Sequence, residues 1–132
     1  MDISGNQIIK LESGLTFYTE LLTVNMSANR ISSLGRDQFM SQTSLNSLDL
    51  SSNLVSKIRV GAFNGLESLT RLDMRDNRIE KLSSAVFTGG EKYLNSNLNY
   101  LILLNSLTEF KFMEFLSKYF KSHFYTHLGK TF

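Results

Sequence analysis

Apolar and polar positions repeat along the first 90 residues in units of nearly constant length. Each unit has apolar residues that alternate with polar ones, then an asparagine, then two more apolar residues. The four asparagines are Asn6, Asn29, Asn53 and Asn77, and their spacings are 23, 24 and 24 residues. Alternation of this kind predicts a short strand with one buried face. Recurrence at a fixed length predicts units that stack on one another, because no single unit can bury its apolar face alone.

The unit from Leu45 to Leu66 shows the full pattern. It resembles the 24-residue form of the leucine-rich repeat family, L-x-x-L-x-L-x-x-N-x-I-x-x-L-x-x-x-x-F-x-x-L, with Val55 and Ile58 replacing the usual Ile and Leu. This phenylalanine-bearing form is found in ectodomains of Toll-like receptors and chaoptin-type adhesion proteins. The resemblance implies an α/β solenoid: a short curved segment with a parallel concave β-sheet, a mostly irregular convex side and a C-terminal helix.

Two columns of conserved chemistry within the repeats are expected to hold the coils together. An asparagine amide both donates and accepts hydrogen bonds, so it can link a buried turn to the neighbouring coil. We therefore predict a structural ladder of asparagines: Asn6, Asn29, Asn53 and Asn77. A phenylalanine column is predicted to stack on the far side of the core, to space the convex segments and to bend the stack: Phe39, Phe63 and Phe87.

The repeats predict two regions of different character. Residues 1–107 are expected to form a solenoid fragment of about four regular repeats and one degenerate repeat. In the degenerate repeat Leu98, Leu101 and Leu103 resemble a fifth strand, but Asn105 comes one residue too early. Residues 108–132 form an aromatic and basic tail, which we expect to be a helix packed on the last repeat because a capping box precedes its apolar face. A continuing degenerate repeat and an unrelated spliced sequence remain alternatives for this tail.

The polar strand positions are the candidate binding residues. Period-two alternation predicts that they point outward on the concave face, where solenoids have extended binding surfaces. Asp49 and Asp73 are expected on adjacent strands, where Arg71 and Arg75 could relieve their repulsion. A solvated, self-neutralised polar sheet is the alternative explanation. The predicted partner-binding residues are Asn25, Ser47, Asp49, Ser51, Arg71, Asp73 and Arg75.

Composition and motifs point away from catalysis and cofactor binding. The chain has no cysteine, which excludes a disulfide framework and thiolate chemistry, and its formal charge of +2 is too small to indicate nucleic-acid binding. His123 and His127 have a metal-ligand spacing but lack the general base and the third ligand of a metalloprotease. No phosphate-binding glycine pattern is present. We therefore predict no catalytic residue, no metal, no cofactor and no small-molecule substrate.

These observations favour a non-enzymatic protein-interaction module that binds protein partners at its concave face. The resemblance implies an extracellular or cell-surface location as part of a longer adhesion or receptor protein, with membrane contact only through an anchor of that longer protein. The chain shows no signal peptide and no Cys-rich cap, so we expect it to be a fragment. A truncated isoform or incomplete gene product without its own activity, and an intracellular scaffold of the same fold, are the alternatives.

Overall fold

The computed structural model describes residues 1–12, 15–79, 84–87 and 100–102. Their regular elements are short, as the short alternating runs predict. They are the strands β1 Thr23–Asn25, β2 Ser33–Leu34, β3 Ser47–Asp49, β4 Lys57–Ile58, β5 Arg71–Asp73 and β6 Tyr100–Ile102, and one 3-10 helix, Ser84–Val86. Within these ranges no helix is long and apolar enough to cross a membrane.

Four strands form one parallel sheet in the order β1-β3-β5-β6. Its register follows the repeat, because Leu48 pairs with Val24 on one side and with Leu72 on the other. Asp2 extends the sheet through an isolated parallel bridge to Asn25. Consecutive coils therefore place equivalent residues side by side, as expected for a solenoid. The predicted stacking of coils is confirmed.

The fifth strand lies where the apolar pattern predicts it. Leu72 pairs with Leu48, 24 residues before it, and with Leu101, 29 residues after it. The longer interval corresponds to the point where the repeat loses its regular length. The predicted slip at Asn105 and the predicted helix in 108–132 lie outside the described residues.

A continuous apolar core fills the space between the concave strands and the opposite side of the coils. Leu48 and Leu72 are fully buried in it, and the ring of Phe63 stacks on those of Phe39 and Phe87 at centroid distances of 6.1 and 5.1 Å. Burial of each such aliphatic or aromatic side chain contributes about 1.5–3 kcal/mol. The phenylalanine column predicted from the repeats is therefore confirmed, while the bend expected from it stays a prediction.

The first coil covers the core less completely than the coils behind it. Ile3, Ile8 and Leu11 are only partly buried, although each lies against the core. An apolar concavity of about 710 Å³ opens beside them. The equivalent residues of the next coil, Ile31 and Leu34, are fully buried, because a neighbouring coil lies on each side of them.

Two features of the coils are not evident from the repeat pattern. A second parallel sheet, in which Leu34 of β2 pairs with Ile58 of β4, forms after the asparagines. The residue before each asparagine also adopts a positive φ: 65° at Gly5, 54° at Ala28, 53° at Ser52 and 54° at Asp76. Since three of these four residues are not glycine, composition alone does not reveal this left-handed turn.

Candidate functional site

The asparagine ladder lies behind the concave strands and fixes their spacing. The Oδ1 atom of Asn53 accepts a hydrogen bond from the backbone N–H of Ile31 in the preceding coil, at 3.0 Å. Its Nδ2 atom donates to the carbonyl of Met26 in that coil, at 3.0 Å, and to the carbonyls of Leu50 and Ser51 in its own coil, both at 3.1 Å. One buried amide thus joins two turns of backbone, which satisfies groups that water does not reach.

Asn29 and Asn77 repeat this arrangement, and Asn6 makes only part of it. Asn29 accepts from the N–H of Ile8, and Asn77 accepts from that of Val55. Asn6 is exposed and donates only to carbonyls of its own coil. The predicted ladder is therefore confirmed for links between coils at Asn29, Asn53 and Asn77, while Asn6 stabilises its own turn.

A second polar column runs along the concave face itself. The pairing register brings Asp2, Asn25, Asp49 and Asp73 side by side on successive coils. In each of them Oδ1 accepts a hydrogen bond from the backbone N–H two residues later, at 2.9, 3.0, 2.8 and 3.3 Å respectively. This contact is an Asx turn, and it directs the chain out of the strand. The side-chain oxygen at this position therefore has a local structural role that the sequence analysis did not identify.

The N-terminal half of this face forms a shallow polar concavity of about 370 Å³. It contains four predicted partner-binding residues, Asn25, Ser47, Asp49 and Arg71, and their side chains are all half-buried. The prediction omitted Asp2 and Thr23, although both are exposed and both occupy the columns of the predicted residues. The repeat register alone was sufficient to find them. Its complete lining is Met1, Asp2, Thr23, Val24, Asn25, Ser47, Asp49 and Arg71.

Asp73 departs from its predicted exposure. We expected an outward-pointing carboxylate, but its side chain has no exposed surface. The guanidinium groups of Arg71 and Arg75 cover it, with Nη2 atoms 3.3 and 2.8 Å from the same Oδ2 atom. The prediction that these arginines relieve the repulsion between Asp49 and Asp73 is therefore confirmed, and the same contacts explain why Asp73 itself is inaccessible.

Burial and charge act in opposite directions on Asp73. Loss of contact with water raises the pKa of its carboxyl group, and the neighbouring Asp49 raises the pKa further. The hydrogen bond from the Arg75 N–H and the two guanidinium charges lower the pKa, but by less than the burial raises it. In contrast, hydrogen bonds from Ser4 lower the pKa of the exposed Asp2. Equivalent residues of one column therefore differ because only one is desolvated.

Ser51 is the second candidate whose predicted exposure is wrong, since only 7% of its surface is exposed. It lies where the chain leaves the sheet, and backbone hydrogen bonds join this turn to the coils on both sides. Ala28 N–H donates to the carbonyl of Ser51 at 3.1 Å, and Ser52 N–H donates to that of Arg75 at 3.0 Å. A side chain as small as serine is covered by this packing, whereas Arg75 in the next coil extends beyond it.

This arrangement is suited to polar recognition between molecules. In the described ranges no three His, Asp or Glu side chains lie close enough together to hold a metal ion. The concave face instead presents carboxylate, hydroxyl, amide and guanidinium groups on a frame of stacked strands, and such a frame holds them in fixed relative positions.

Coils of repeated length, parallel strands and an asparagine ladder define a class of repeat protein, the solenoids. The family model for the leucine rich repeat matches residues 19–79 and 43–103, and the chain belongs to this family. No curated protein sequence matches it significantly.

Solved structures share the fold. The crystal structure of the TLR13-ssRNA13 complex matches with 25% identity and a TM-score of 0.70, over 80% of this chain and 14% of that one. A leucine-rich repeat protein of Leptospira interrogans matches with 20% identity and a TM-score of 0.77, over 94% and 30%. An internalin of Listeria monocytogenes matches with 18% identity and a TM-score of 0.63, over 96% and 40%. The chain thus spans less than half the length of each of these structures.

Proposed function

We propose that this chain is a non-enzymatic protein-interaction module that binds a protein partner at its concave face. The observation that supports this most is the polar concavity between Asp2 and Arg71. Its groups exceed what the fold uses, because Asp49 needs only Oδ1 for its Asx turn. Its second carboxylate oxygen has no partner within the described part of the chain. Polar groups without an internal partner are available to a ligand, and complementary groups on that ligand give specificity.

An extracellular adhesion or receptor role fits the repeat type of this chain. Leucine-rich repeats with a phenylalanine column resemble those of receptor and adhesion ectodomains, and the similar structures include TLR13 and an internalin. We propose that the chain acts at the cell surface as part of such a protein, with any membrane contact made by another part of it.

A protein partner fits this surface better than a nucleic acid. The TLR13 structure is a complex with RNA. On the present chain, however, the carboxylates of Asp2 and Asp49 line the concavity and would repel a phosphate backbone. Asn25 and Ser47 between them supply neutral hydrogen-bonding groups. We therefore propose neither a nucleic acid nor a small-molecule substrate as ligand.

Site-specific photo-crosslinking tests this proposal. A benzophenone amino acid is introduced at Thr23, which is exposed on the concave face, or at Lys57, which is exposed on the second sheet. Each variant is irradiated with secreted and surface proteins from the source cells, and the adducts are identified by mass spectrometry. We expect discrete protein adducts from the Thr23 variant and none of the same proteins from the Lys57 variant.

Equal melting temperatures of the two variants provide the control for folding. Identical adducts from both positions, or adducts from Lys57 alone, would contradict binding at the concave face.

A further inference from the structure

We infer that Arg71 and Arg75 form a binding site for an acidic side chain of a protein partner, one that has a basic side chain next to it. This inference rests on the proposed function and specifies the chemistry of the ligand. It begins from the buried carboxylate of Asp73, whose Oδ2 atom contacts both guanidinium groups at 3.3 and 2.8 Å. Its Oδ1 atom accepts the backbone N–H of Arg75 at 3.3 Å.

The charges at this point do not balance. Two guanidinium groups cover a single carboxylate, so the surface above Asp73 carries an excess positive charge. The side chains of Arg71 and Arg75 keep 44% and 42% of their surface exposed, whereas Asp73 has none. A guanidinium has five N–H donors, and each contact with Asp73 uses one nitrogen. Further donors therefore lie on the exposed side, in a geometry that suits a carboxylate.

The buried carboxylate also fixes the two arginines in position. A free arginine side chain loses rotational freedom when it binds a ligand, and this loss weakens binding. Here Asp73 contacts both guanidinium groups before any ligand arrives. Asp73 is thus a positioning residue, and Arg71 and Arg75 are the residues that contact the ligand.

The sign of the charge reverses within one coil. Asp49 pairs with Asp73 across β3 and β5, so its carboxylate lies about 4.8 Å along the stack from the arginine-bearing strand. The same concavity is bounded by Asp49 and Asp2 on one side and by Arg71 on the other. A ligand with neighbouring acidic and basic side chains matches both signs. A strand of phosphates would match the arginines but would be repelled by the two aspartates.

The test uses a displayed library of random 12-residue peptides, selected on the full chain. The decisive variant combines Arg71→Gln, Asp73→Asn and Arg75→Gln, which leaves no unpaired buried carboxylate to destabilise the fold. Arg30→Gln with Arg78→Gln is the matched control, since both arginines are exposed outside the concave strands. Thr23→Trp fills the concave face without changing its charge. A 13-residue oligouridylate serves as a competing RNA.

We expect the selected peptides to carry Asp or Glu within four residues of Lys or Arg. Their affinity should fall at least tenfold for the triple variant and less than twofold for the control pair. Replacing the peptide's acidic residue by its amide should cause the same loss on the native chain and no further loss on the triple variant. Asp73→Asn alone should cause an intermediate loss, and the oligouridylate should not compete.

Three results would overturn the inference, and they differ in what they say about the proposed function. If Thr23→Trp abolishes binding but the triple variant does not, the concave face binds peptides without the arginine site. If neither change affects binding, concave-face recognition fails as well. If the oligouridylate displaces the peptides and depends on the same arginines, the site binds phosphates and the acidic-peptide assignment is wrong.

Discussion

Two polar columns cross this stack of coils, and they have opposite fates. The column through Asn29, Asn53 and Asn77 is buried, and its amides join one coil to the next. The column through Asp2, Asn25 and Asp49 uses one side-chain oxygen for a local turn and leaves the rest facing the concavity. The comparison shows that a repeated polar residue stabilises the fold where the coils bury it and is available for recognition where they do not.

Asp73 is where the two behaviours meet. It belongs to the concave column by register, yet it is as fully buried as the core. The difference from Asp49 comes from its neighbours: Arg71 and Arg75 lie two residues before and after it on the same face and cover its carboxylate. Arginine at both positions thus converts a binding carboxylate into the support of a cationic site.

Loss of a buried ladder amide should have the largest effect. Asn53→Ala leaves the buried N–H of Ile31 without its acceptor, which costs about 1–3 kcal/mol, and removes three further hydrogen bonds. We expect the free energy of unfolding in urea to fall by about 3–4 kcal/mol. Asn6→Ala, at the equivalent exposed position, should lower it by less than about 1 kcal/mol. Similar losses for both variants would break the distinction between buried and exposed positions.

A backbone contact outside both columns should have the next largest effect. Gly65 has a φ of 86°, and a methyl group at its Cα would overlap the backbone of Met40 in the preceding coil. We expect Gly65→Ala to lower the unfolding free energy by about 2–3 kcal/mol, from overlap and from left-handed strain. Gly5→Ala is the matched control: φ is 65° but no atom lies within 4 Å of the added methyl group.

The Gly5→Ala variant should lose only the left-handed strain, about 1–2 kcal/mol. If both glycine variants melted alike in differential scanning calorimetry, close contact between coils would not contribute as described.

The pH dependence of Asp73 should be the smallest effect. Because the folded state raises its pKa, the neutral carboxyl favours folding. This contribution is complete below the unfolded pKa and is lost as the pH rises through the folded one. The stability of the native chain relative to Asp73→Asn should therefore increase as the pH falls toward 3.8. At pH 7 the two should differ by no more than about 1 kcal/mol, since a buried ion pair adds little net stability.

Urea unfolding at a series of pH values gives this difference directly. A native chain that loses stability relative to Asp73→Asn on acidification would show that the arginines, and not burial, dominate the Asp73 carboxyl.

The sequence predicted the frame of the molecule better than its surface. The spacing of the asparagines was sufficient to predict the ladder, and the apolar alternation was sufficient to predict the pairing of Leu48, Leu72 and Leu101, because both depend on period alone. Exposure at Ser51 and Asp73 was predicted wrongly, since it depends on side chains from neighbouring coils. The Asx turns and the left-handed residues before each asparagine depend on backbone geometry that equivalent residues as different as Gly5 and Asp76 share.

A reciprocal exchange between the two columns tests the central claim most directly. Asn53→Asp replaces a buried amide by a carboxylate that cannot donate to the three carbonyls around it, whereas Asp49→Asn keeps the oxygen that accepts from Ser51 N–H. Urea unfolding at pH 7 should show a loss of at least about 3 kcal/mol for Asn53→Asp and a change below about 0.5 kcal/mol for Asp49→Asn. Equal changes in the two variants would contradict the division of the polar columns into one that holds the coils and one that is available to a partner.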